Sequence, residues 1–186
     1  MLEIELKAWT EDLDLVRARL EALGRKLAKS GRVVVKEDVY YGPAGADPRA
    51  LDWRRDRLVR VRRTESGAVL TAKRKEIASG VETSEEIEVG VDDPDAAARF
   101  LDYLGYRPFI AKKKETRAYA WSEEITVELN RVEGLGYFVE VEALVPESAT
   151  PVEVEAARGR VRSVLSELGI AADRIEPRPY MDLLRR

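Results

Sequence analysis

Strict alternation between charged and apolar side chains is the feature that most constrains how this 186-residue chain can fold. Residues 2–8 place Glu3, Glu5 and Lys7 between apolar neighbours. Successive side chains of a β-strand point to opposite faces, so this segment predicts a strand with one charged and one apolar face. Alternation, together with β-branched and aromatic content, predicts further strands at about 33–41, 57–63, 68–76, 85–91, 107–121, 124–131 and 137–145.

Three longer helices and a short C-terminal helix are predicted between and after these strands. The first covers about 11–29, with Thr10 as its cap and an apolar stripe along one face. The second follows the Asp-Pro pair at 93–94, and the third runs from a capping box at 150–153 to about residue 168. No linker, repeat or low-complexity tract divides the chain, so residues 1–186 are predicted to form one α+β domain.

The charged residues of the predicted strands share one face, because residues two positions apart lie on the same side of a strand. Residues with this pattern are Glu3, Glu5, Lys7, Arg60, Arg62, Thr71, Lys73, Lys75, Glu86, Glu88, Glu128, Asn130, Glu140 and Glu142. In an open antiparallel sheet such a face would simply be solvated. In a closed eight-stranded antiparallel barrel, helices packed outside would cover the apolar face and the charges would point inward. The repeated E-x-E and R-x-R pairs favour the barrel without excluding the open sheet.

The chain contains no histidine and no cysteine. This excludes histidine-based triads, thiolate chemistry and disulfides, and leaves carboxylates, lysines, tyrosines and metal-bound water as reactive groups. The formal net charge is −3, from 32 basic and 35 acidic residues, so no global basic field favours nucleic acid as a partner. No apolar run has the length of a signal peptide or a membrane span, which predicts a cytoplasmic protein without a membrane partner.

A barrel interior crowded with carboxylates and cations would be unstable if it were dry, because unpaired buried charge is costly. It must therefore be hydrated or filled by a ligand. Paired glutamates are hard oxygen ligands suited to Mg²⁺ or Mn²⁺, and guanidinium groups match phosphate oxygens. A metal-bound polyphosphate satisfies both sets of side chains.

The pentapeptide at 3–7, E-x-E-x-K, resembles the signature of the CYTH family, also called triphosphate tunnel metalloenzymes. Matching segments follow in the family's order at 38–41, 58–62, 70–73, 86–88, 114–117 and 130–142. The C-terminal residues 179–184 resemble the ending of the class IV adenylate cyclase branch. The resemblance covers nearly the whole chain and implies an eight-stranded tunnel that binds a triphosphate and one or two divalent ions. It also makes a homodimer an expected assembly.

The resemblance assigns roles to particular residues. The metal-ligand candidates are Glu3, Glu5, Glu88, Glu128, Asn130, Glu140 and Glu142. The phosphate-binding candidates are Lys7, Arg60, Arg62, Lys73, Lys114, Arg117 and Arg178. Glu5 and Lys7 are the catalytic candidates. Asn130 departs from the aspartate of many members, so Glu128, on the same strand face, is expected to supply the missing charge.

Three functions fit these residues. The first is a class IV adenylate cyclase, which the C-terminal resemblance favours and which would convert ATP to cyclic AMP and pyrophosphate. The alternative is a triphosphatase that would hydrolyse inorganic triphosphate, thiamine triphosphate or a nucleoside triphosphate. A non-catalytic polyphosphate or nucleotide sensor would keep the cations and lack productive metal geometry. The cyclase needs an adenine site, for which Trp53, Tyr103 and Trp121 are the stacking candidates.

Overall fold

The computed structural model describes residues 1–27, 32–52, 56 and 58–185. Trp53 lies outside the described residues. The strands are β1 (Leu2–Thr10), β2 (Lys26–Leu27), β3 (Val34–Pro43), β4 (Val59–Thr64), β5 (Gly67–Ala78), β6 (Val81–Val91), β7 (Tyr106–Ala120), β8 (Ile125–Val132) and β9 (Gly136–Val145). The helices are α1 (Leu13–Ala22), α2 (Pro94–Tyr103), α3 (Pro151–Glu167) and α4 (Tyr180–Leu184), with a 3₁₀ turn at Ala172–Arg174.

Eight of these strands close into an antiparallel barrel. Hydrogen-bonded neighbours follow the order β7-β3-β4-β5-β6-β1-β9-β8, and pairing between β7 and β8 closes the ring. The short strand β2 pairs with the end of β7 and adds a ninth strand outside the ring. The prediction of a closed eight-stranded α+β barrel with external helices is therefore confirmed.

The barrel is apolar outside and charged inside. Alternate residues of β1, such as Ile4 and Leu6, are fully buried in the main hydrophobic core between the barrel wall and the helices. Helix α3 packs on β1 and β9, α1 on β8 and β9, and α2 on β4, β5 and β7. The helices cover much of the apolar outer face, although Ile87 and Val89 of β6 stay exposed, and the charged faces line the barrel interior.

Three predicted element boundaries were wrong. Helix α1 begins after Asp12, whose side chain accepts hydrogen bonds from two backbone N–H groups of the first turn, while Thr10 still belongs to β1. The helix ends at Ala22, well before residue 29, because Gly24 takes a left-handed φ of 69° that reverses the chain into β2. Strand β6 begins at Val81 rather than 85, which brings Glu82 into the barrel wall.

The C-terminal segment crosses one end of the barrel. Met181 packs against Tyr40 of β3, whereas Tyr180 packs against Phe138 of β9 in a cluster that includes Trp9 of β1. Strands β1 and β3 are four places apart in the eight-membered ring, so α4 spans the barrel end from one side to the other. None of the helices in the described part of the chain has the length and apolar character needed to cross a lipid bilayer.

Candidate active site

The barrel encloses a cavity of about 300 Å³ whose wall is almost entirely ionisable. The cations that line it are Lys7, Lys36, Arg60, Arg62, Lys73, Lys75, Lys112 and Lys114. The carboxylates that line it are Glu3, Glu5, Glu82, Glu86, Glu88, Glu128, Glu140 and Glu142. Thr71, Tyr40 and residues 179–181 complete the described lining. Eight positive and eight negative groups therefore face one another across a small space.

Most of the residues predicted for the site lie in this cavity, but three do not. Arg117 lies on the outer face of β7, beside Leu129 and Tyr137. Lys112, Lys114 and Thr116 of the same strand are buried and alternate with exposed residues, so an odd-numbered neighbour points outward. The prediction that Arg117 contacts phosphate conflicts with this geometry.

Arg178 is also turned away from the cavity. Its guanidinium group forms an ion pair with Glu176, at 2.6 Å from Nη2 to Oε2, and its side chain is half exposed. Only its backbone carbonyl reaches toward the site, where it accepts a hydrogen bond of 2.7 Å from Lys7 Nζ. The side-chain role predicted for Arg178 therefore conflicts with its position.

Carboxylates concentrate around Glu5 in the middle of the wall. Cross-strand pairing sets Glu5 opposite Glu82 of β6 on one side and Glu142 of β9 on the other. Carboxylate oxygens of Glu3, Glu5 and Glu82 lie within 4.8 Å of one another. This arrangement fits a divalent cation, which prefers several carboxylate oxygens at one point.

Burial and neighbouring carboxylates raise the pKa values of two glutamates in this part of the wall. Burial, together with the carboxylates of Glu140 and Glu82, raises the pKa of Glu5 to about 7. Burial and the carboxylate of Glu3 raise the pKa of Glu142 to about 8. A bound divalent cation would favour the ionised forms of both groups, so the donor set fits Mg²⁺ or Mn²⁺.

Lys73 is the internal counter-ion of this cluster. Its Nζ lies 2.9 Å from Glu3 and 3.1 Å from Glu82, and it also forms an ion pair with Glu86. Although burial opposes protonation, these carboxylates raise the pKa of Lys73 well above its usual value. Lys73 therefore balances part of the negative charge that a metal ion would balance.

Two other predicted metal ligands, Glu88 and Glu128, pair with neighbouring side chains of the cavity wall. Glu88 is half exposed and accepts hydrogen bonds from Thr71 and Arg60. Glu128 forms ion pairs with Lys36 at 2.7 Å and with Lys114 at 3.1 Å. These carboxylates balance neighbouring cations in the described structure, and their assignment as metal ligands stays a prediction.

Cations gather toward the end of the cavity that α4 covers. The ammonium groups of Lys7, Lys112 and Lys114 lie 4.4, 4.9 and 6.0 Å from the centre of the Tyr180 ring. Lys114 also contacts Glu140 at 2.7 Å. Contact with an aromatic face stabilises ammonium groups that have lost part of their hydration.

Five charged residues of the described lining were not among the predicted site residues: Lys36, Lys75, Lys112, Glu82 and Glu86. Lys36 stands in a segment whose two faces both carry charge, and Lys112 begins a run of three lysines, so neither shows a clean alternation. Lys75 shares the face of Lys73, which was a usable signal. Glu82 was missed because the predicted strand began at residue 85, which left Glu82 outside it.

Asn130 supports a carboxylate instead of presenting an oxygen to the cavity. It is fully buried, its side-chain oxygen accepts a hydrogen bond from Thr116 at 2.7 Å, and its amide donates to Glu140 at 2.8 Å. Both functional groups of the amide are therefore in use. This conflicts with the prediction that Asn130 coordinates the metal directly.

Asn130→Asp should destabilise the metal-free protein. The new carboxylate would replace a donor to Glu140 by a second buried negative charge, which we expect to lower the free energy of unfolding by roughly 3 kcal/mol at pH 8. At pH 5 the cost should be smaller, because protonation of the aspartate restores a donor. Urea unfolding with a chelator at both pH values tests this, and equal stability of variant and wild type at pH 8 would refute it.

A family model for the CYTH domain matches residues 1–180. The chain belongs to the CYTH family. Membership agrees with the closed tunnel, its inward charges and the E-x-E-x-K segment of β1. The charged cavity inside the tunnel is therefore the candidate active site.

Relatives in sequence and in structure match nearly the whole length of this chain. A Methanocaldococcus jannaschii protein called "Putative adenylate cyclase MJ0240" is 28% identical over 183 residues, which is 98% of each chain. The structure of the Pyrococcus horikoshii protein PH1819 is 30% identical with a TM-score of 0.80, covering 98% of both chains. A Hippeastrum protein with a dominant triphosphatase activity has a TM-score of 0.62 at 20% identity, covering 95% of this chain and 90% of that one, and shows the shared fold alone.

Proposed function

We propose that this CYTH protein is a divalent-metal-dependent triphosphatase that cleaves the terminal phosphoanhydride bond of a triphosphate inside the barrel. The observation that carries the proposal is the cavity wall, in which a three-glutamate cluster and a set of lysines and arginines face the same 300 Å³ space. Because the described lining carries eight basic and eight acidic side chains, it suits a metal-compensated polyphosphate better than a bare polyanion.

Glu3, Glu5 and Glu82 would hold the metal ion, which supplies charge neutralisation at phosphate oxygens when it is bound. Lys7, Lys112 and Lys114 would bind the terminal phosphate at the covered end of the cavity. Positioning and charge are the main demands of phosphoryl transfer. The residues present meet both demands without histidine.

In the proposed reaction, water forms a bond to the terminal phosphorus while the bond from that phosphorus to the bridging oxygen breaks. The cations that hold the terminal phosphate stabilise the charge that develops on its oxygens. The diphosphate portion leaves with the bridging oxygen, and the proton of the attacking water ends on the orthophosphate product. A loose transition state needs no strong base.

Adenylate cyclase activity is the second candidate, favoured by the name of the Methanocaldococcus jannaschii relative. In that reaction the ribose 3′-hydroxyl attacks the α-phosphorus and pyrophosphate leaves. The described lining of the cavity offers little for an adenine base. Its aromatic residues are Tyr40 and Tyr180, and both are buried. Tyr103 points to solvent, and Trp121 stacks on Arg25 away from the cavity.

Product analysis separates these candidates. Purified protein is incubated with inorganic triphosphate and, separately, ATP, each with Mg²⁺ or Mn²⁺, and products are resolved by ion-exchange chromatography. We expect orthophosphate from triphosphate and no cyclic AMP from ATP. Cyclic AMP together with pyrophosphate would establish the cyclase instead. Binding of triphosphate without turnover under either metal would favour the sensor.

A further inference from the structure

Asp38 of β3 is a buried carboxylate that does not line the cavity but contacts three residues that do. It is 1% exposed. Its Oδ1 accepts a hydrogen bond from Arg62 Nε at 2.7 Å, and its Oδ2 accepts one from Arg62 Nη2 at 3.0 Å. The same Oδ2 lies 3.0 Å from Lys112 Nζ and accepts the hydroxyl of Tyr40 at 3.2 Å. One carboxylate outside the cavity lining thus forms ion pairs with two cations that line the cavity.

The β-sheet register fixes this arrangement. Asp38 is directly opposite Arg62 of β4 on one side and Lys112 of β7 on the other. Direct cross-strand neighbours have Cβ atoms about 4.5–5.5 Å apart, so side chains on one face are in contact range without any loop movement. The three residues form one rung of the barrel wall, with the negative charge in the centre.

We propose that Asp38 is a positioning residue for the phosphate ligand: it fixes the orientation of the Arg62 guanidinium and keeps the Lys112 ammonium charged. This inference rests on the proposed function for the identity of the ligand. A carboxylate that binds two nitrogens of one guanidinium sets the plane of the group, which leaves the remaining N–H donors aimed in a fixed direction. Arg62 lines the cavity while Asp38 does not, so those donors are available to phosphate oxygens.

Lys112 depends on Asp38 to stay protonated because the other groups that face it include both cations and anions. The titratable and charged groups that face it, from β3, β4, β7, β9 and α4, are Asp38, Tyr40, Arg62, Lys114, Glu140 and Tyr180. Burial, together with the positive charges of Lys114 and Arg62, lowers the pKa of Lys112 to about 8, and Asp38 is the main group that opposes this shift. Without the Asp38 charge, Lys112 would lose its proton at a lower pH.

The test is Asp38→Asn, which keeps the shape of the side chain and removes its charge. Binding of inorganic triphosphate with Mg²⁺ is measured by titration calorimetry from pH 6 to pH 9, and turnover is measured in parallel. We expect binding about ten-fold weaker or more at pH 7.5. The pH above which binding weakens should fall by about one unit, since only protonated Lys112 attracts phosphate and its pKa is lower in the variant.

Glu37→Gln is the matched control. Glu37 is the preceding residue of β3, faces outward, and forms an ion pair of 2.7 Å with Lys113, next to Lys112 on β7. Glu37→Gln removes the same charge from the adjacent rung, on the outer face of the barrel, so triphosphate binding and its pH dependence should stay at wild-type values. Asp38→Glu keeps the negative charge, so the pH above which triphosphate binding weakens should return toward the wild-type value.

An Asp38→Asn protein that binds triphosphate like the wild type at every pH would overturn the proposal, as would an equal effect of Glu37→Gln. If Asp38→Asn does not fold, Lys112→Arg decides, because arginine stays charged throughout this range. Triphosphate binding by Lys112→Arg should not weaken as the pH rises to 9. If it weakens as in the wild type, the proposal is refuted. Wild-type binding without turnover would refute the triphosphatase and still test Asp38. Absence of binding by the wild type would refute both.

Discussion

Glu5→Gln should reduce turnover of triphosphate by roughly 10³-fold or more, because a metal ion contributes several kcal/mol to the stabilisation of developing charge and each 1.4 kcal/mol is a factor of ten. Glu5 is the central carboxylate of the cluster, with Glu82 and Glu142 as its direct cross-strand neighbours. Glutamine keeps the shape of the side chain and removes one anionic oxygen ligand. Orthophosphate release at saturating Mg²⁺ measures the effect.

The same substitution should not destabilise the metal-free protein at alkaline pH. The pKa of Glu5 is raised from 4.5 to about 7, so ionisation of Glu5 disfavours the folded state as the pH rises from about 4.5 to about 7. Glutamine cannot ionise and avoids this cost. We therefore expect the variant, with a chelator present, to melt at or above the wild-type temperature at pH 8, with a smaller difference at pH 5.

Glu85→Gln is the control for this experiment. Glu85 is an exposed residue of β6 that points outward between the inward Ser84 and Glu86. The Glu85→Gln substitution removes one carboxylate from the same region of the barrel and leaves the cavity unchanged. Its turnover of triphosphate should therefore equal that of the wild type. Full activity of Glu5→Gln, or an equal loss in Glu85→Gln, would contradict the assignment of the metal site.

The alternation predicted the strands and their charged faces because its signal has a period of two residues and recurs in most strands, and the family resemblance then favoured the closed barrel over the open sheet. Charges on one face and apolar residues on the other leave few folds once helices must cover the apolar face. Element ends were less predictable. The leucine stripe of the first helix continues past Gly24, and only the left-handed backbone at that glycine ends the helix.

Site residues were predictable where alternation was clean and unpredictable where it was not. The β1 glutamates and Arg60 and Arg62 of β4 lie in the cavity as expected. The run Lys112–Lys114 puts a lysine on both faces, so the sequence alone could not choose between them. Arg117 was predicted from the family motif, whereas the alternation of side chains along β7 places it on the outer face of the barrel. Roles within the cavity, the metal, the homodimer and the cytoplasmic location stay predictions.

Lys114→Met and Lys113→Met should differ sharply although they change adjacent lysines of one strand. Lys114 is buried and pairs with Glu140 at 2.7 Å and with Glu128 at 3.1 Å. Lys113 is about half exposed and pairs with Glu37 outside the barrel. Removal of one partner from a buried ion pair costs about 3–5 kcal/mol, whereas an exposed pair contributes about 0–1 kcal/mol. Urea unfolding at pH 7 measures both differences.

The loss in Lys114→Met should depend on pH in a defined direction. Although burial opposes ionisation, Lys114 holds the pKa of Glu140 well below its usual value of 4.5, so this pair stabilises the protein above about pH 4.5. The stability difference from the wild type should therefore be largest at neutral pH and shrink in acid, where Glu140 becomes protonated. A pH-independent loss would indicate that the packing of the Lys114 side chain, not its charge, supports the barrel. Because the same ammonium is placed to bind phosphate, Lys114→Met should also lose triphosphate binding that Lys113→Met retains.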